Sequence, residues 1–190
     1  QLFAYCDEII EDRTQNPRDD FATTLVTAQR DGEKLSHTEL RDSMALLVFG
    51  GFDTTRNQLA LAMKTFAENP AQWALLAENP DLGKVAVEEV MRVNPTVTWV
   101  TREALDDFEF GGLAIPAGTT IHLFSESAGT DPLVFENPAF DITAEGRKPH
   151  FGFGGGAHHC LGHFVGRMDM SVALPILARR MPDLRIGEGV

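Results

Sequence analysis

Apolar residues repeat with the 3.6-residue period of a helix from Leu82 to Val93, and the run stops at Asn94-Pro95. The residue before a proline is pushed out of helical backbone space, so a boundary is expected there. Other segments read by their start and stop signals. Leu2 to Glu11 predicts a helix ending near Asn16-Pro17, and Asp19-Asp20 caps a second from Phe21 to Gln29. Asp31-Gly32 reads as a turn. Ser36 with Glu39 forms a capping box that starts a long helix from His37 to about Phe66. Asn69-Pro70 and Asn79-Pro80 punctuate short helices around Trp73 to Leu76.

After Pro95 the pattern changes. Thr96 to Arg102, Phe108 to Phe110 and Thr119 to Phe124 read as short strands, with turns at Gly111-Gly112 and Pro116-Ala117-Gly118. The stretch from Asp131 to Gly156 is largely irregular, and a last apolar helical stretch runs from Phe164 to Leu177. Neither an internal repeat nor a low-complexity linker interrupts the chain. The fold class is mainly α with a small β element.

The most informative stretch is Phe153-Gly154-Gly155-Gly156-Ala157-His158-His159-Cys160-Leu161-Gly162. It places a cysteine after a glycine-rich turn and before a helix. Backbone N–H groups and the helix dipole at such a junction favour thiolate over thiol. The glycines let backbone lie close to a flat cofactor. That design suits a haem iron with a cysteine axial ligand. Two other readings stand beside it: a small buried structural cysteine, or zinc held by His158, His159, Cys160 and His163. Structural zinc normally takes about four ligands from two paired clusters, and Cys6, the other cysteine, has no ligand pair around it.

The segment reads F-G-x-G-x-H-x-C-x-G followed by Arg167. It resembles the haem-binding signature of the cytochrome P450 family. Glu89-Val90-Met91-Arg92 resembles that family's E-x-x-R motif, and Gly50-Gly51-Phe52-Asp53-Thr54-Thr55 its oxygen-activation motif. Thr101-Arg102-Glu103-Ala104 with Gly112 to Gly118 resembles the strand segment of its soluble bacterial members. All four occur in the family's order, across almost the whole chain. Family members are roughly twice as long. The resemblance therefore implies the C-terminal portion of the P450 fold, with residues 1–190 a partial haem-binding domain lacking the N-terminal portion and the last strands. Such a piece alone is expected to be unstable, to bind haem weakly and to lack turnover.

The resemblance implies a monooxygenase that inserts one atom of O2 into a small lipophilic substrate. Electrons would come from NAD(P)H through a ferredoxin or flavoprotein. The cofactor would be haem b, iron protoporphyrin IX, with Cys160 as the metal ligand and Phe153 over the sulfur side. Gly154, Gly156 and Gly162 would allow close approach, and His158 and Arg102 would meet the propionates. On the long helix the Gly50-Gly51 pair would let the helix open, while Asp53 and Thr54 would deliver protons as the catalytic pair. Glu89, Arg92 and, from the loop before the cysteine, Arg147 would form a buried scaffolding network. Leu46, Leu47, Phe49, Phe52, Val97 and Val100 are candidate substrate contacts. Ala128-Gly129-Thr130-Asp131 stands where soluble members often read A-N-R-D, so the family's basic residue there is missing and a local loop contact is in doubt, and Gly166 stands where alanine is common.

Composition narrows the field. Sixteen basic against 28 acidic side chains argue against a nucleic-acid binder, which needs a basic footprint. With Cys160 as a ligand, two cysteines leave no disulfide, which fits a reducing compartment. No apolar run is long enough for a bilayer and no signal peptide is visible, so the expected location is cytoplasmic. A haem carrier or sensor and a zinc module remain the rivals. The Asp53-Thr54 pair speaks against a carrier, which needs no proton relay.

Overall fold

The computed structural model describes residues 1–30 and 35–187; the Asp31-Gly32 turn lies outside the described residues. The chain divides into two compact units, Gln1–Asp53 and Thr54–Val190.

The first unit holds α1 (Leu2–Gln15), α2 (Phe21–Arg30) and the first part of α3 (His37–Glu68). Its core gathers Cys6, Ile10, Val26, Leu40, Met44 and Ala45. The caps expected from the sequence are made. Asp20 accepts the Thr23 backbone N–H at 2.8 Å, at the start of α2. That bond first, and the Arg13 guanidinium second, bring the Asp20 carboxyl down to about 2. Ser36 Oγ accepts the Glu39 N–H at 3.3 Å, and the Glu39 carboxylate accepts the Ser36 N–H at 2.6 Å. The reciprocal pair satisfies two backbone donors of the α3 start. α3 stays helical through Gly50 and Gly51 and runs to the helix-forming Ala67 and Glu68, until Asn69-Pro70 stops it.

The second unit holds the rest of α3, α4 (Pro70–Glu78), a 3₁₀ turn (Pro80–Leu82) and α5 (Gly83–Val93). Strands β1 (Trp99–Glu103), β2 (Phe108–Phe110), β3 (Leu113–Ile115) and β4 (Thr120–Phe124) follow. A short α6 (Ser125–Gly129), a 3₁₀ turn (Gly156–His158) and α7 (His163–Arg180) complete it. The strands make two antiparallel pairs. β1 meets β4 with Trp99 opposite Phe124, and β2 meets β3 with Phe108 opposite Ile115. β3 and α6 were not legible in the sequence. β1 also starts three residues later than expected. The Thr96 N–H donates to the Gln58 side chain and the Val97 carbonyl accepts from Ser125 Oγ, so these two groups are used outside the ladder.

Ala62, Phe66, Trp73, Leu76, Val87, Val90, Ile142 and Leu174 form the core between α3, α4, α5 and α7. The Trp73 indole N–H donates to the Met181 carbonyl at 2.8 Å, fastening α4 to the end of α7. Pro175 lies inside α7 and has no N–H to return to the Ser171 carbonyl. Gly83 packs against that carbonyl so closely that a Cβ there would lie 2.4 Å from it. Gly129 is tighter still, its Cβ position 2.1 Å from the Arg92 carbonyl. Gly166 differs: an added Cβ would make ordinary contact, 3.8 Å from Phe153 and from Thr55.

These spaces predict opposite outcomes for one chemical change. Gly129→Ala forces backbone apart and should lower Tm sharply or prevent folding. Gly166→Ala fills ordinary space in a helix interior and should be neutral or stabilise by up to about 1 kcal/mol. Thermal unfolding of the two variants beside the parent checks both.

Candidate functional site

α5 presents two carboxylates that go separate ways. Glu89 and Arg92 are 2% and 1% exposed. Arg92 Nε donates to Glu89 Oε2 at 2.8 Å and Nη2 to Oε1 at 2.6 Å, a two-pronged pair. Nη1 donates to the Gly129 carbonyl at 2.6 Å, and the second Nη2 hydrogen is shared by the carbonyls of Pro138 (3.0 Å) and Ala139 (2.9 Å). Arg147 Nη2 reaches the same Glu89 Oε1 at 3.0 Å, and the Asp141 N–H donates to it at 2.9 Å. The structure thus brings Glu89, Arg92 and Arg147 together, with Arg147 also binding the carbonyls of Asn137 and Ala139.

The cysteine loop follows. Gly154 and Gly156 have φ of +72° and +66°, in the region that favours glycine. The loop closes where the Cys160 N–H donates to the Phe153 carbonyl at 2.9 Å. The Cys160 carbonyl accepts from His163 N–H at the start of α7. Below the loop, Gly152 packs on α5; a Cβ there would lie 2.7 Å from the Met91 carbonyl. Phe153 packs against the core cluster. Cys160 is solvent-exposed, whereas Cys6 is buried.

A second charged cluster had no signature in the sequence. Glu88 Oε1 accepts from Arg167 Nε at 2.6 Å, and Oε2 from Arg167 Nη2 at 3.1 Å and His150 Nε2 at 3.0 Å. The Gly152 N–H donates to His150 Nδ1, which places the ring proton on Nε2. Partial burial alone would raise the Glu88 carboxyl, but His150 and Arg167 outweigh it and bring it down to about 2. Arg167 also donates to His163 Nδ1 at 2.7 Å and lies over the Phe153 ring, 4.2 Å from its centre. Burial first, then the charges of His159 and Arg167, lower the His163 pKa. Glu88, His150 and Arg167 are far apart in sequence, so no local spacing could have joined them.

The remaining predicted residues lie on α3, on or just before β1, and in the cysteine loop itself. Asp53 and Thr54 are consecutive on α3, the first half-buried and the second exposed. Gly50 and Gly51 have open space where a Cβ would stand, as do Gly156 and Gly162. Arg102 is on β1, opposite Ile121, and donates to the Thr101 carbonyl at 2.8 Å. His158 is the exposed last residue of its 3₁₀ turn. Leu46, Leu47, Phe49, Phe52 and Val97 are exposed and Val100 is half-buried.

A family model described as Cytochrome P450 matches residues 1–81 and 72–180. The chain belongs to the cytochrome P450 family. Luteothin monooxygenase of Streptomyces thioluteus is 42% identical over 188 residues, 98% of this chain and 46% of the relative. Steroid C26-monooxygenase of Mycobacterium tuberculosis is 37% identical, across 97% of this chain and 42% of its own. The crystal structure of Mycobacterium smegmatis CYP164A2 in the ligand-free state superposes with a TM-score of 0.90 at 36% identity, covering 98% of this chain and 48% of that one. The chain therefore spans about half the length of the P450 relatives it matches.

The donor set of this P450 tests whether haem fits. Among the described residues no group of three or more His, Cys, Asp or Glu side chains could hold a metal ion. His159 and His163 stack on one another edge-on at 4.5 Å. A bare zinc ion wants about four ligands; one exposed thiol does not supply them. A metal that brings its own equatorial ligands needs one axial donor and an apolar surround. Leu161 and Phe164, 72% and 76% exposed, and Phe151 offer that surround on the same stretch. The residues present fit haem.

Breaking a buried ion pair by removing one partner strands the other charge, at a cost of about 3–5 kcal/mol. Arg92→Ala should therefore destabilise the protein by that order, and chemical denaturation measures it. The Glu88 carboxyl has a folded pKa below its unfolded value. Its contribution to stability is complete above the unfolded value near 4.5 and is lost as pH falls toward the folded value. His150 and Arg167 face it directly, and Lys84, Arg147 and Lys148 line the same groove. Between pH ~4.5 and ~2 the parent should lose more stability than Glu88→Gln, as read by acid unfolding.

Proposed function

We propose that this P450 is a haem-thiolate monooxygenase, taking electrons from NAD(P)H through a ferredoxin or flavoprotein and inserting one atom of O2 into a small lipophilic substrate. The observation that carries this reading is the exposed Cys160 thiol at the closing position of a glycine loop, flanked by exposed apolar side chains. Bound haem supplies the one-electron and O2 chemistry that no side chain can supply. The rest of the work belongs to the chain.

Cys160 would hold the haem iron through its sulfur, and its N–H bond to the Phe153 carbonyl keeps that residue's backbone in place. Phe153 shields the sulfur from water, which tunes the site. Gly154, Gly156 and Gly162 leave room for backbone to approach the cofactor. Arg102 and His158 meet its two carboxylates, Arg through a planar fork suited to them. Gly50 and Gly51 keep α3 free of bulk where dioxygen must enter. The Asp53 carboxylate takes protons from solvent and Thr54 Oγ1 passes them on, work that typically contributes about 10²–10⁴-fold. Glu89, Arg92 and Arg147 hold the irregular segment that leads to the loop. Leu46, Leu47, Phe49, Phe52, Val97 and Val100 are the candidate contacts for an apolar substrate. A steroid, named for one relative, is a substrate of that character. Among the described residues no helix is long and apolar enough to cross a membrane.

These 190 residues alone are expected to be inactive, so the deciding measurement is the carbon monoxide difference spectrum of the reduced polypeptide restored to the full length of its relatives. The parent should give a strongly red-shifted Soret band that Cys160→Ala lacks; the same band in both would exclude Cys160 as the ligand. Thr54→Ala should divert reducing equivalents into hydrogen peroxide. Unchanged coupling of electron consumption to product would remove Thr54 from proton delivery.

A further inference from the structure

Glu88 and Glu89 are adjacent on α5 but serve different parts of the chain. Glu89 faces Arg92 and Arg147. Glu88 turns to His150, before the cysteine loop, and to Arg167, after it. Both carboxylate oxygens are used, with Arg167 bound through two nitrogens. The His150 side chain is only 6% exposed, so its bond to Glu88 is not an incidental surface contact. Arg167 is held at the carboxylate and pressed on the Phe153 ring at once. Phe153 in turn accepts the Cys160 N–H. A continuous path of contacts runs from Glu88 through Arg167 and Phe153 to the cysteine.

We propose that Glu88 is a positioning residue for the cysteine loop: one carboxylate ties both ends of the segment 150–167 to α5 and so fixes the sulfur side of the haem site. The proposal rests on Cys160 being the iron ligand. Ordinary packing would hold the middle of the segment through Gly152 and Met91. It would not by itself hold the Arg167 guanidinium over Phe153: without Glu88 that guanidinium keeps only the His163 Nδ1 bond and loses its charged partner. The low carboxyl pKa of Glu88 keeps the anchor charged across the neutral range.

Glu88→Ala and Glu88→Gln of the complete polypeptide test this in two ways. The first is hydrogen exchange of the haem-free protein. Glu88→Ala should speed exchange of the amides of Gly152, Gly154 and Cys160 by about tenfold or more, with α4 and the end of α7 unchanged. Glu88→Gln keeps shape without charge and should lie between. The second is the haem-loaded protein. A loosened loop admits water to the sulfur, so the reduction potential should rise and the red-shifted carbon monoxide band should shrink.

Unchanged exchange and potential in Glu88→Ala, with a normal band in the parent, would make Glu88 a plain surface acid and overturn the proposal. Uniformly faster exchange through α4 and α5 would overturn it too, as a global effect. If Glu88→Ala does not fold, Glu88→Gln decides by the same readings. Absence of the band in the parent would instead refute the assignment of Cys160, while the exchange data still decide whether Glu88 holds the loop.

Discussion

The buried pair of Glu89 and Arg92 is what the second unit depends on. Removing two charges from water costs several kcal/mol per ion, and their attraction offsets this only when the geometry is good and the remaining hydrogens are used. Here the geometry is good: the Gly129 carbonyl takes an Nη1 hydrogen, the Pro138 and Ala139 carbonyls share one on Nη2, and Arg147 and the Asp141 N–H take the spare carboxylate capacity. Those partners all come from residues 129–147, a stretch without a strand ladder or long helix. Its backbone groups must be satisfied somewhere, and the ion pair satisfies them. A segment that would otherwise be a loose connection thereby acquires one path toward the cysteine loop.

Close packing does the rest. Gly83, Gly129 and Gly152 each let backbone approach a carbonyl where a methyl group would not fit. Two of these carbonyls belong to Met91 and Arg92, so the E-x-x-R helix is the surface on which α6 and the cysteine loop both rest. The two cysteines show how placement decides chemistry. Cys6 faces Ile10 and Leu40 in a core and behaves as a small hydrophobe. Cys160 stands in solvent at the lip of a glycine loop.

Much of this was legible in the residues. The capping box at Ser36 and Glu39 and the proline stops at Asn69-Pro70 and Asn94-Pro95 work through neighbours in sequence, so local reading found the helices with ends shifted by only a few residues. Glu89 and Arg92 share a helix face, and their pairing follows from spacing alone. β3 was missed because it is three residues held between two turns, Gly111-Gly112 and Pro116-Ala117-Gly118, and α6 because five residues are too few to show a helical period. The late start of β1 was missed because the side chains of Gln58 and Ser125, both distant in sequence, claim the Thr96 N–H and the Val97 carbonyl.

The sequence by itself determined the family, the helix boundaries and the identity of the cysteine loop, since caps, breakers and motifs act over a few residues. Tertiary structure alone decided that Glu88 leaves its neighbour Glu89 for His150 and Arg167, and that Gly166 has room while Gly129 has none. These are contacts between side chains and backbone dozens of residues apart. Periodicity and spacing describe which face a residue occupies, but not what the folded chain brings against that face.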